Sequence, residues 1–416
     1  MHGSSIPLFD ASRTSTSNSV SPKRPAVDEA GGVNIFPYYA GFSFAWAKNE
    51  ILRTPASEAS VVLDPWNGSG TTTLAAASLG IQSIGIDLNP AANVVAEARF
   101  AAASRPIPEL EKLGADAPWG SSVRSLGAWF AEESSIRLSQ WTRRAASAEP
   151  DVRALILVAI FRTIRDLTKT FEGSNPTWVR RARSVDDLIN PGSVAIDTAV
   201  HAAYRSIVDS ALGRSLCNAP KPHIVDGSAG RLPIRSGAID RIITSPPYLT
   251  RIDYGVAYSR ELAALGVDLT INRHIRAELM GTTLIRPNRS GSALRPDSVA
   301  AKTLEAVRSH PSKDSAGYYR KQFEQYLTDL RSGITELSRV ASKGASMTVV
   351  VQDSYYKDVE VRLADIFVEE AEVEGWTLSS QPERFNVSRL LTTMNTPARA
   401  YEKGAVSESV LRFARS

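Results

Sequence analysis

The sequence is short of the residues from which many sites are built. One cysteine, Cys217, stands alone in 416 residues, so neither a disulfide framework nor a cysteine-rich zinc site can be assembled. A lone thiol suits a reducing compartment, and a cytoplasmic protein is expected. The five histidines show no metal-ligand spacing. His201, on a helical stretch, and His223, opening a strand, read as structural, and no metal site is expected. No apolar run reaches the roughly 18 residues of a membrane span, so no membrane contact is expected. Residues 1–30 are rich in Ser, Thr and Pro and lack an apolar h-region. They read as a disordered tail rather than a signal peptide. Charge of one sign is not in great excess either, with a net charge of +4.

What is present is a chain with 43% apolar residues, enough for one large domain with insertions or for two. "VVLDPWNGSGTTTLAAASLG" (61–80) opens with a short apolar strand, passes a glycine-rich turn and enters an alanine-rich helix. "SIGIDLNPAANVVAEARF" (83–100) repeats strand, acidic turn and helix. Two such units in succession predict a parallel sheet with helical crossovers, hence an α/β fold. Residues 31–104 form the first part of that domain. Residues 105–221 then show helical periodicity, clearest over 151–171 and 194–213, for far longer than a crossover needs. They are expected to be a helical insertion.

The α/β plan resumes over 222–258, with strands ending at Asp226 and Thr244. Residues 259–317 are basic and weakly periodic. Ten Lys/Arg face four acids over 270–321, a balance that suits either a polyanion or a solvated loop. Residues 318–416 return to the sheet: a helix over 318–340, a strand over 345–356, a helix over 359–376 and a terminal strand.

The turn "DPWNGSGTT" (64–72) places Gly68 and Gly70 where backbone must approach a ligand closely, with Thr71 opening the helix. Asp87 ends the next strand, 23 residues after Asp64, an interval at which an acid commonly bonds a ribose hydroxyl. A Walker loop needs Lys after the last glycine, and Thr71 stands there. A nicotinamide fingerprint wants a third glycine where Thr73 stands. An adenosyl cofactor without phosphates fits better, and S-adenosylmethionine is the common one. Asp64 is placed to accept from its ammonium group. Asp226 is placed to meet the adenine amino group, or else to serve as a turn or cap aspartate.

"IDRIITSPPYLTRIDY" (239–254) ends a buried strand on two prolines. Pro246 and Pro247 cannot donate to a ladder and hold the loop extended. Their carbonyls and the Ser245 hydroxyl remain acceptors, and Tyr248 adds a flat face. Together they suit a planar ring bearing an exocyclic amino group.

TSPPY together with DPWNGSGTT resembles the DNA amino-methyltransferases, which modify cytosine N4 or adenine N6. "FPYYAGFS" (36–43) is similar to the family motif that packs over the methionine part of the cofactor, which brings Phe36, Tyr39 and Gly41 into the expected site. The resemblance covers roughly residues 34–100 and 222–258, and the final strands. It implies a Rossmann-like class I methyltransferase sheet, S-adenosylmethionine as cofactor and DNA as partner. It also implies a prokaryotic cytoplasmic enzyme working beside a nuclease or defence-system subunit. The flipped base would stack on Tyr248 and donate to Ser245 and the Pro246 carbonyl. Serine before Pro-Pro-Tyr favours cytosine N4, with adenine N6, RNA guanine N2 and a non-catalytic nucleic-acid binder as alternatives. Arg251, Arg286 and Arg289 are the expected nucleic-acid contacts. In "LTRIDY", Asp253 and Tyr254 line the pocket or pin the loop. In "NPTWVRRAR" (175–183), Trp178 among arginines suits nucleic acid, or packs a helix end.

Overall fold

The computed structural model describes residues 22, 35–37, 41–53, 60–110, 123–173, 178–211, 216–249, 252–286, 294–387 and 406–416. Most of the expected tail, Tyr39, Arg251 and Arg289 lie outside them. The chain divides into two compact units, the first made of Lys23–Ser228 and Ile252–Thr282, the second containing Ala229–Arg251 and Thr283–Ser416. The expected basic region, 259–317, is therefore shared between the two.

The first unit begins with α1 (Phe44–Arg53), β1 (Val61–Asp64), α2 (Thr71–Ser78), β2 (Gln82–Asp87) and α3 (Pro90–Ser104). Asn89 caps α3 by accepting from Ala91 N at 3.1 Å, and Pro90 takes the first helical position, where no N–H is needed. Four helices follow: α4 (Val123–Leu126), α5 (Glu132–Ala146), α6 (Pro150–Leu167) and α7 (Ser193–Ser210). Strand β3 (His223–Asp226) then pairs in parallel with β2, and β2 with β1, in the order 3-2-1. α6 is apolar on nearly every side and is buried accordingly, from Val152 to Ile164. It packs with Trp129, Trp141 and Tyr204 in one hydrophobic core that also takes in Ala91, Val95 and Ala98 of α3. The long helical segment thus shares a core with α3, the helix that follows β2. Three short helices complete the unit: α8 (Tyr254–Ala257), α9 (Ser259–Ala264) and α10 (Arg273–Glu278).

The second unit holds β4 (Ile239–Thr244), α11 (Val299–Ser309), α12 (Arg320–Val340), β5 (Ala341–Gln352), β6 (Ser354–Tyr356), β7 (Val359–Val361), α13 (Leu363–Val373), β8 (Trp376–Leu378), β9 (Glu383–Val387) and β10 (Val406–Arg415). β4 runs parallel to β5, and β10 lies antiparallel between β5 and β8. The first unit thus carries a parallel 3-2-1 set with helical crossovers, and the second a parallel pair followed by a reversed last strand, each the strand plan of a Rossmann-like α/β fold.

Two expected boundaries differ from what is found. The helix over 359–376 starts only at Leu363, because Val359–Val361 pairs antiparallel with Ser354–Tyr356. Lys357, at φ 57°, makes the turn, and the β-branched Val359 and Val361 favour the strand. The strand over 345–356 starts earlier, at Ala341, and breaks at Asp353, whose carboxylate accepts from Ala364 N at the start of α13.

Candidate active site

The glycine turn is held from several directions. Gly68 and Gly70 both adopt positive φ, 50° and 77°. A Cβ on Gly70 would lie 2.7 Å from the Ala96 methyl and 3.2 Å from its Cα, so the turn presses directly onto α3. Gly68 N donates to Asp87 Oδ2 at 2.8 Å, and Asn89 N donates to Asp87 Oδ1 at 2.9 Å. The carboxylate is fixed by two backbone donors while each oxygen keeps a further lone pair. Asp64 is buried, and its two oxygens accept from Thr72 Oγ1 at 2.6 Å and Trp66 N at 3.2 Å. It braces the turn from within. The Thr71 hydroxyl is engaged as well, accepting from Arg99 at 3.1 Å.

Arg99 was not singled out from sequence. Its guanidinium, buried beneath the turn, also donates to the Ser69 carbonyl at 2.8 Å. The signal was available: Arg99 follows Ala92 and Ala96 at helical spacing on the buried stripe of α3. Asn93 was missed in the same way. Its Nδ2 donates to the Asp87 carbonyl at 2.9 Å and also to Asp226 Oδ1. Asp87 and Asp226 sit opposite each other in the parallel ladder. Burial pushes the Asp87 carboxyl up to about 6, held back by its backbone donors and helped by the Asp226 charge. The Tyr254 hydroxyl is raised by burial and by the nearby Asp87. Asn93 Oδ1, buried beside the two acids, has no partner among the described residues. Paired acids at adjacent strand ends, a close backbone turn and an orphaned acceptor fit an adenosyl group with its hydroxyls and amino group.

The remaining expected cofactor residues are less engaged. Phe36 is in the helical core, edge-on to Phe161 at 6.1 Å, with the Arg165 guanidinium 4.5 Å from its ring centre. Gly41 is exposed, with open space where a Cβ would stand.

In the second unit, Thr244 ends β4 fully buried and the Ser-Pro-Pro-Tyr loop follows. Pro246 is buried, while Ser245, Pro247 and Tyr248 are half-buried. The Pro247 carbonyl accepts from Tyr326 Oη of α12 at 2.7 Å, which ties the loop to that helix. Ser245 Oγ donates to Tyr248 Oη at 3.2 Å, and Tyr248 Oη donates to Glu408 Oε1 of β10 at 3.3 Å. Neither Tyr326 nor Glu408 was foreseen, since both meet the loop across large sequence separations.

The expected basic surface is partly internal. Arg286, read as a nucleic-acid contact, is almost buried and forms an ion pair with Asp329. Four more of the ten cations are paired within the chain: Arg276 with Asp253, Arg295 with Glu370, Arg308 with Glu305 and Arg320 with Glu324. Asp253 also caps α8, accepting from Val256 N at 3.2 Å. Trp178 does not pack a helix end. It is 51% exposed, beside an isolated bridge between Glu172 and Val179.

A family described as DNA methylase matches residues 12–97. Over 287 residues the chain is 29% identical to the type II methyltransferase M.BsoBI of Geobacillus stearothermophilus. That alignment covers 60% of this chain and 56% of the relative, little more than half its length. It is 24% identical over 360 residues to the type II methyltransferase M.MvaI of Kocuria varians, covering 77% of this chain and 76% of the relative. Among solved structures, geranyl diphosphate methyltransferase in complex with SAM is 8% identical with a TM-score of 0.34, over 90% of this chain and 86% of that one, a likeness too distant to bear on the site. On the sequence matches, part of the chain is similar to DNA methylases and to type II methyltransferases.

Proposed function

We propose that the protein transfers a methyl group from S-adenosylmethionine to an exocyclic amino group of a DNA base, with cytosine N4 the favoured target. The observation that carries this reading is the Ser-Pro-Pro-Tyr loop at the end of β4, anchored by Tyr326 and Glu408 so that a hydroxyl, a prolyl carbonyl and an aromatic ring are held together. When bound, S-adenosylmethionine supplies an electrophilic methyl group. Asp87 orients the ribose through its hydroxyls, Asp226 takes the adenine amino group, and Gly68 and Gly70 let the backbone come close. Tyr248 stacks on the base, worth about 1–3 kcal/mol. Ser245 and the Pro246 carbonyl accept from the base amino group and draw its lone pair out of conjugation with the ring. No covalent enzyme intermediate is required, and the contribution of the chain is positioning and electrostatics. Serine ahead of Pro-Pro-Tyr supports cytosine over adenine. The relatives described as type II methyltransferases support DNA as the substrate, and a nuclease or defence-system subunit is the partner proposed.

Digestion of methylated product to nucleosides tests the reading. N4-methylcytosine is expected. N6-methyladenine would keep the mechanism and change the base, and methylguanine from RNA would overturn the choice of substrate.

Two further outcomes follow from the cofactor residues. Gly70→Ala forces a side chain onto a φ of 77° and into Ala96. It should cost about 1–3 kcal/mol of stability and weaken S-adenosylhomocysteine binding, read by thermal unfolding and calorimetry. Cofactor affinity should also depend on Asp87. Its carboxyl titrates at about 6, so it is an anionic acceptor above that pH and protonated below. Between pH 7.5 and pH 5 affinity should fall by about tenfold, and Asp87→Asn should flatten that profile. The stability linkage runs the other way. An acid whose folded pKa exceeds its unfolded one favours folding most below the usual 3.8, and that contribution is lost as pH rises through about 6.

A further inference from the structure

The contacts of Tyr248 fix a direction. An ionised carboxylate can only accept, so the Tyr248 hydroxyl donates its single proton to Glu408, at 3.3 Å. With that proton committed, Tyr248 Oη meets Ser245 Oγ, 3.2 Å away, as an acceptor. Ser245 therefore donates its own proton to Tyr248 and turns lone pairs outward. The carboxylate of β10, 160 residues along the chain from Tyr248, decides that Ser245 presents acceptors rather than a hydrogen. A serine free to rotate would offer either. Glu408 is held in place by the ladder on both sides, opposite Gln352 of β5 and Phe385 of β9.

We propose that Glu408 is a positioning residue for methyl transfer: through Tyr248 it orients Ser245 as an acceptor for the base amino group, and it is the final acceptor of the proton which that group sheds. The inference rests on the function proposed above. The balance is as follows. The amino lone pair forms the new N–C bond, and the S–C bond breaks with its electrons passing to sulfur, leaving a neutral thioether. The nitrogen now carries one proton too many. That proton passes to Ser245 Oγ as the serine proton moves to Tyr248 Oη and the tyrosine proton moves to the Glu408 carboxylate. The products are a neutral methylated amine, a neutral Ser-Tyr pair and a neutral glutamic acid, which returns its proton to water before the next turnover. No metal, oxidant or separate base enters the step.

Glu408→Gln separates this role from simple anchoring. Glutamine keeps a carbonyl oxygen that can accept from Tyr248, so the loop stays tied, but it cannot take up the proton and it no longer fixes the chain of donors. The expected result is a fall in kcat on the order of 10²-fold with KM for DNA, cofactor binding and Tm nearly unchanged. Tyr248→Phe keeps the ring and cuts the relay. It should lose about as much, and the double variant should lose no more than the worse single variant, because one chain of bonds is broken twice. Glu408→Asp should recover part of the rate. The proposal is overturned if Glu408→Gln stays within about threefold of the parent kcat, or if the two losses multiply. Failure of the parent protein to methylate any nucleic acid would overturn the underlying function instead, so the two failures are distinguishable.

Discussion

Ser245→Ala is expected to lower the single-turnover rate of methyl transfer by about 10²- to 10³-fold, the magnitude seen when one preorganised polar partner of a reacting group is removed. The hydroxyl is the one side-chain acceptor the loop offers to the base amino group, and its orientation is set by Tyr248. Alanine leaves the prolines, the Tyr326 anchor and the ring in place. Affinity for DNA should therefore change little, and cofactor affinity, which is proposed to rest on the glycine turn and Asp87, should not change. Rapid-quench measurement with saturating enzyme reads the chemical step directly. A rate loss below about fivefold would mean that Ser245 does not face the reacting nitrogen.

Glu261→Ala should be the most destabilising substitution in the first unit, at about 3–5 kcal/mol, because it leaves a buried guanidinium without its carboxylate. Glu261 of α9 is fully buried, and its Oε1 lies 2.5 Å from Arg165 Nε of α6. Arg165 is also enclosed by aromatic rings, 4.5 Å from the centre of Phe36 and 5.3 Å from that of Tyr258. Water cannot easily replace the lost partner there. Thermal unfolding followed by circular dichroism should show a Tm lower by about 10 °C. Replacing both charges with apolar residues of similar size should recover most of the loss, since a buried pair often gains little over good packing. A shift below about 2 °C for the single substitution would contradict this account.

The local signals in the sequence were strong where chemistry constrains the backbone. A glycine turn between strand and helix, an acid at the next strand end and two prolines closing a strand are all short-range patterns, and the structure places them as those patterns require. Asp87 and Asp226 meet because a parallel crossover puts consecutive strand ends side by side. Charge was a poorer guide. Arg260 and Glu261 are both buried, the first paired with Glu172 and the second with Arg165. Composition counts charges but does not locate their partners. Arg286 and Asp329 are 43 residues apart, and that pairing exists only once the chain has folded. The same reason hid Glu408 and Tyr326. Phe36 shows the opposite case, a residue that fits a family motif and is used here to pack a helical core. Asp64 fits the motif too, and its carboxylate also braces the turn, accepting from Thr72 and Trp66.

The central claim is that a methyl group is moved onto DNA by the Ser-Pro-Pro-Tyr loop. The most direct test incubates the full-length protein with methyl-tritiated S-adenosylmethionine and unmethylated bacterial DNA, beside Tyr248→Ala, and counts label retained on DNA after filter binding. Label on DNA with the parent and near-background counts with the variant is the predicted result. No label on DNA from a protein that still binds S-adenosylhomocysteine, or equal label from both proteins, would contradict it.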